Sequence, residues 1–241
     1  MMQGEINRKN SGFTLIELIV SLVISSFVVA GIYGVYTIQQ RSYKVQEQVS
    51  EMQQRLRAAV QFMTSEMRMA GYNPPNDYPD PHPYDPAGVC DGAKIVTANR
   101  DAFEFKFCVV ENAPTYTSKL QKTAYSLYDA GSKSVFDFNL GVEHDSGKMP
   151  LAEGIEAIEF LYFDQNDNPV PPVTGDTGDI RTVKISLLAR AMYPDAKYTD
   201  TTVYEPASGN ADWFNGGKPP NDHYHRRLLI TTVKLRNMGL E

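Results

Sequence analysis

One carboxylate stands out for its surroundings. Glu17 lies in FTLIELIVSLVISSFVVAGIYGVY, residues 13–36, where it is the sole ionisable side chain before the tyrosines. An ionised carboxylate in a membrane-spanning stretch costs about 2.5 kcal/mol or more, so it marks a functional site with a cationic partner unless it sits at the headgroup boundary. Cys90 and Cys108 both follow the apolar stretch, in the part of the chain that would be exported, and this favours a disulfide over a metal site or free thiols. Closing that loop would restrict the unfolded chain by about 3 kcal/mol. Asp164, Asn166 and Asn168 match the first half of a calcium loop, but Pro169 stands where the loop needs glycine and Gly175 where it needs a bidentate glutamate. A hairpin turn is expected there, with Asp176 and Asp179 leaving a calcium site of another kind open. His82, His144, His223 and His225 are scattered, and the close pair His223 and His225 lacks the two further ligands that zinc needs. The chain has no G-x-S-x-G, H-E-x-x-H, phosphate-loop or C-x-x-C motif. No enzymatic activity, metal or cofactor is expected.

The segment that holds Glu17 sets the first element. As a helix, residues 13–36 span roughly 36 Å, enough for a bilayer core of about 30 Å. Arg8 and Lys9 precede it, so its N-terminus stays in the cytoplasm and everything after residue 37 lies on the far side. A secretory signal has a shorter apolar core followed by a small-residue cleavage site. Here the small residue, Gly12, comes first, and cutting there would remove only the polar leader MMQGEINRKNSG.

Gly12-Phe13-Thr14-Leu15-Ile16-Glu17-Leu18 resembles the class III signal of type IV pilins and type II secretion pseudopilins. The resemblance implies that a prepilin peptidase cuts between Gly12 and Phe13 and N-methylates the new Phe13 amine. Glu17 would then be the fifth residue of the mature chain. In a helical stack of such subunits, the Phe13 amine of one could neutralise Glu17 of its neighbour and fix the axial register. Many major pilins have a proline further along the segment; here Gly31 and Gly34 occupy that region, loosening the helix or letting helices approach closely.

Beyond Tyr36, Val45, Val49, Met52, Leu56, Val60, Met63 and Met67 recur at spacings of three and four, one apolar stripe on a helix. No proline interrupts residues 13–73, so one continuous helix is expected over 13–72, of which about 58 helical residues would span about 87 Å, with Gly71 and Asn73-Pro74-Pro75 as its stop. QRSYKVQEQVSEMQQRLRAAVQFMTSEMRMAGY is similar to the matching region of PilW-type minor pilins, and less closely to the minor pseudopilin J of type II secretion.

Residues 73–93 form a Pro-rich loop, and a β-rich domain over 94–241 follows. Phe103, Phe105, Phe107 and Val109 alternate with Glu104, Lys106 and Cys108 as in a strand, and similar runs occur at 123–129, 134–140, 156–164, 181–191 and 226–237. An α+β fold is expected, with the long helix packed on an antiparallel sheet. IEAIEFLYFDQNDNP, TVKISLLARA and TTVKLRN extend the likeness to PilW-like minor pilins. The loop from Glu205 to His225, with Trp213, is either a contact surface or an irregular excursion folded onto the domain.

With 23 Lys and Arg against 29 Asp and Glu, the chain carries a formal charge of -6, which disfavours broad contact with nucleic acid or anionic lipid. Arg226 and Arg227 leave room for a small basic patch. The resemblance implies a minor pilin that primes or caps a type IV pilus. Its partners would be other pilins and minor pilins, the prepilin peptidase and an inner-membrane assembly platform. It would be single-pass in the inner membrane with a periplasmic domain, and extracellular once in the filament. A minor pseudopilin of a type II secretion system is the nearest alternative. A membrane-anchored periplasmic binding or enzymatic domain is the alternative from another class.

Overall fold

The computed structural model describes residues 12–73, 88–111, 117–128, 139–175 and 177–238. The expected leader up to residue 11, most of the Pro-rich loop with His82, the strand expected at 134–138 and Asp176 lie outside them. Two units make up the chain, residues 1–47 and 48–241. The one α-helix among the described residues, α1, spans Leu15–Met67.

In the second unit, Met52, Leu56, Ala59, Met63 and Met67 are the buried residues of α1, with Val49 and Val60 partly buried against the same core. Spacings of four, three, four and four residues keep them on one face. Gly71 ends the run with φ of 72°, a left-handed conformation natural to glycine. Its N–H donates to the Lys106 carbonyl at 3.1 Å, and the Tyr72 carbonyl accepts from Cys108 N–H at 2.8 Å, so the helix exit joins the ladder of a strand. Asn237 Nδ2 donates to the Arg68 carbonyl at 2.8 Å, satisfying one of the orphan acceptors of the helix end.

The strands are β1 (Ile95–Ala98), β2 (Ala102–Glu111), β3 (Thr117–Tyr128), β4 (Asn139–His144), β5 (Gly147–Glu153), β6 (Ile155–Phe163), β7 (Pro169–Val170), β8 (Val173–Thr174), β9 (Thr182–Arg190) and β10 (Arg226–Lys234). They pair antiparallel, as expected, and divide between two sheets: one of order β5-β4-β3-β2-β1-β8, the other β10-β9-β6-β7. Aromatic side chains join the two. The Phe103 ring of β2 lies 5.8 Å from Phe160 and 5.7 Å from Tyr162 of β6, and 5.4 Å from its own neighbour Phe105. Tyr162 Oη donates to the Asn99 carbonyl at 2.5 Å, so the phenol is buried without losing its hydrogen bond. Burial pushes its pKa, like that of Tyr125, far above the ordinary value.

The central strands of the second sheet, β6 and β9, are buried on both faces. Residues 191–225 cover the side turned away from the core. Ala207 N–H donates to Ser186 Oγ at 3.0 Å, Ser208 Oγ to the buried Glu159 carboxylate at 2.6 Å, and Trp213 Nε1 to the Ile158 carbonyl at 3.1 Å. The segment is thus an excursion folded onto the domain, with Trp213 pinned to β6. Its ends are clamped by Arg226, whose side chain is 2% exposed and reaches Glu156 at 2.6 Å, Asp200 at 3.1 Å and Asp222 at 2.6 Å. Of the two arginines that left room for a small basic patch, Arg226 is consumed by carboxylates inside the domain and Arg227 is exposed.

Two predictions come from these contacts. Gly71→Ala forces a side chain into the left-handed region and against Met238, and should lower stability by about 1–3 kcal/mol in denaturant titration of the solubilised chain; an unchanged midpoint would show that the helix stop tolerates a Cβ. The second concerns acid. Hydrogen bonds from Arg226 hold the Asp222 carboxyl below its ordinary range, against the opposing pull of partial burial. A lowered folded pKa contributes stability above the unfolded value and loses it as pH falls through the folded one. Asp222→Asn should be less stable than the parent at pH 7, and the two stability curves should converge below about pH 3. Parallel curves down to that pH would contradict the clamp.

Candidate functional site

The first unit carries the ionisable group on which the sequence reading turned. Gly12, Phe13 and Thr14 precede α1, and Phe13 is 92% exposed. Thr14 caps the helix. Its N–H and its Oγ1 both donate to Glu17 Oε2 at 2.8 Å, and Glu17 N–H donates to Thr14 Oγ1 at 3.4 Å. This reciprocal arrangement is a capping box, with the threonine at the cap and the glutamate three residues on. It turns the carboxylate toward the helix start, beside Phe13, where the helix dipole favours negative charge. The pattern T-x-x-E was present in Thr14-Leu15-Ile16-Glu17, yet sequence reasoning assigned Thr14 no role.

From Leu15 to Tyr36 the apolar side chains point outward and are at least half exposed or nearly so, and the segment is long and apolar enough to cross a membrane. The hydroxyls of Ser21, Ser25, Ser26 and Thr37 donate to carbonyls three or four residues back at 2.7–2.9 Å. Such internal pairing is what a helix needs where water is scarce. A Cβ added at Gly31 or Gly34 would meet nothing within 4 Å, so both glycines leave open, low relief on the helix surface.

The remaining candidate residues lie in the second unit. Cys90, in the short turn Val89–Gly92, is bonded to Cys108 of β2, with Cα atoms 5.3 Å apart. Asp164 accepts from the N–H groups of Asn166 and Asn168 at 2.8 Å and from Asn168 Nδ2 at 3.0 Å. These bonds, the last foremost, hold its carboxyl below the ordinary range, and they build the turn between β6 and β7. His223 contacts the Tyr198 carbonyl at 2.5 Å, while His225 stacks on the Tyr198 ring at 3.9 Å. His144 lies 3.2 Å from Thr123 Oγ1. Among the described residues, no group of three or more His, Cys, Asp or Glu side chains is placed to hold a metal ion.

The prokaryotic N-terminal methylation motif matches residues 7–33, and the family model described as type IV pilus-assembly protein W matches residues 106–237. A type IV-like pilin from Thermus thermophilus is similar over 77% of this chain and 97% of its own, at 13% identity and a TM-score of 0.49. No curated protein matches in sequence. With more than half of its length covered by that model and the methylation motif at its start, the chain belongs to the type IV pilus-assembly protein W family.

Proposed function

We propose that the chain is a structural minor pilin that primes or caps assembly of a type IV pilus, after prepilin peptidase has cut between Gly12 and Phe13 and methylated the Phe13 amine. The observation that carries this reading is the placement of Glu17: a carboxylate held next to Phe13 at the head of an exposed apolar helix, inside a methylation motif. Cleavage leaves the Phe13–Thr14 peptide bond intact, so the Thr14 N–H that supports Glu17 survives processing. What cleavage adds is a cationic amine, and methylation does not remove its charge.

In the filament, the Phe13 amine of one subunit pairs with Glu17 of a neighbour. The attraction is strong because little water reaches the apolar core to screen it. Before assembly the helix holds the chain in the inner membrane, with the N-terminus cytoplasmic and residues after about 37 periplasmic, until an assembly platform extracts it. The disulfide supports an oxidising compartment for the second unit.

Intact-mass measurement of the membrane-derived protein should show loss of residues 1–12 and gain of one methyl group; a retained leader overturns the processing step. Glu17→Ala should leave the second unit folded, judged by unchanged near-UV circular dichroism. It should cut surface filaments at least about tenfold, the equivalent of 1.4 kcal/mol in assembly. Filament numbers equal to the parent's would remove Glu17 from the mechanism.

A further inference from the structure

Strand edges are where a folded domain can take up another chain, and most edges of this one are blocked. In the first sheet, β8 has two residues, and β5 carries Pro150 and pairs with a register shift between Leu140 and Gly141. In the second, β7 is two residues long, begins at Pro169 and runs into Pro171 and Pro172. Proline, bulges and brevity are the usual devices against edge pairing. The fourth edge, β10, has none of them: it runs over Arg226–Lys234 without proline and pairs with β9 without a register shift.

The register shows which backbone groups this edge presents. Ala191 N–H donates to the His225 carbonyl and Leu235 N–H to the Arg181 carbonyl, both at 2.8 Å. Odd-numbered residues of β10 therefore bond to β9, and the N–H and C=O of Leu228, Ile230 and Thr232 point to the open side. Among the described residues nothing accepts from or donates to them. The Ile230 side chain is 46% exposed beside them. Residues 226–238 contain four cations and no carboxylate, in a chain of net charge -6. Arg226 is spent on the buried clamp, while Arg227, Lys234 and Arg236 are exposed and make no ion pair among the described residues.

We propose that β10 is a docking edge for an extended strand of another polypeptide, apolar in alternation and acidic at its ends. Backbone hydrogen bonds to Leu228, Ile230 and Thr232 give the pairing, and carboxylates opposite Arg227 and Lys234 give its selectivity. A second copy of this chain is disfavoured at the same edge, because antiparallel pairing of two β10 strands sets cationic end against cationic end. The surface is independent of the helix and of the assembly reading.

The test uses the full chain in detergent micelles and a synthetic peptide, ETVTVTVE, whose two glutamates face Lys234 and Arg227 in antiparallel pairing, with amide hydrogen exchange as readout. Saturating peptide should slow exchange at Leu228, Ile230 and Thr232 at least about tenfold. A peptide with lysine for each glutamate should bind at least about tenfold more weakly, and the double variant Arg227→Glu with Lys234→Glu should reverse that preference. Backbone N-methylation of alternate peptide residues should abolish the protection. Four results would overturn the proposal: no protection up to about 1 mM peptide, equal binding of both peptides, equal protection by the N-methylated one, or a protein dimer that protects the same three amides without peptide.

Discussion

A helix that is apolar on every side has to be taken out of water, and this requirement governs the chain from its first turn. With no other segment among the described residues of the first unit to bury it, the stretch after Phe13 must find either lipid or other helices. Every polar group it keeps has to be satisfied within the helix. The serine and threonine hydroxyls bond back to carbonyls, and the one carboxylate is held by the threonine that caps the helix. The same residue that makes the helix start well also keeps a charge ready where a cation would be welcome.

In the second unit the helix becomes one wall of an ordinary core. Only a stripe of it is apolar, and the aromatic ladder of β2 joins the stripe to both sheets. The second sheet needs a cover on its other face, and residues 191–225 supply it. Their attachment is polar: Glu159 with Ser208, Ser186 with Ala207, and Arg226 among three carboxylates. A buried arginine with this many partners is less a source of stability than a fixed point, because removing any one member leaves the others buried and unbalanced.

What could be read from sequence followed from local pattern. The spacing of Met52, Leu56, Met63 and Met67 identified the helix face, alternation at Phe103, Phe105 and Phe107 identified a core strand, and Gly71 identified the helix stop. Ala59 was passed over because a methyl group carries little periodic signal. The division into two sheets was hidden because alternation marks a strand and not its pairing partner; β6 and β9 are buried on both faces, with Glu159 and Ser186 covered by the excursion. Strands of two residues, β7 and β8, exist only through their pairing. Arg226 looked like surface charge because its three partners lie 4, 26 and 70 residues away. The candidate site also rests on local pattern: Gly12, Phe13 and Glu17 lie in a methylation motif matched as linear sequence, and the cap made by Thr14 stands in the same stretch as T-x-x-E.

The bond between Cys90 and Cys108 also decides how the domain would carry a mechanical load. Tension entering along the backbone from the helix reaches Cys90 and crosses through sulfur to Cys108, 18 residues further on. The residues between them, which include β1 and the aromatic run Phe103, Phe105 and Phe107, lie in a bypass that bears none of the pull. Roughly 60 Å of contour length is thereby withheld from extension. The part of the core that binds one sheet to the other is kept slack while the chain on either side of it is taut.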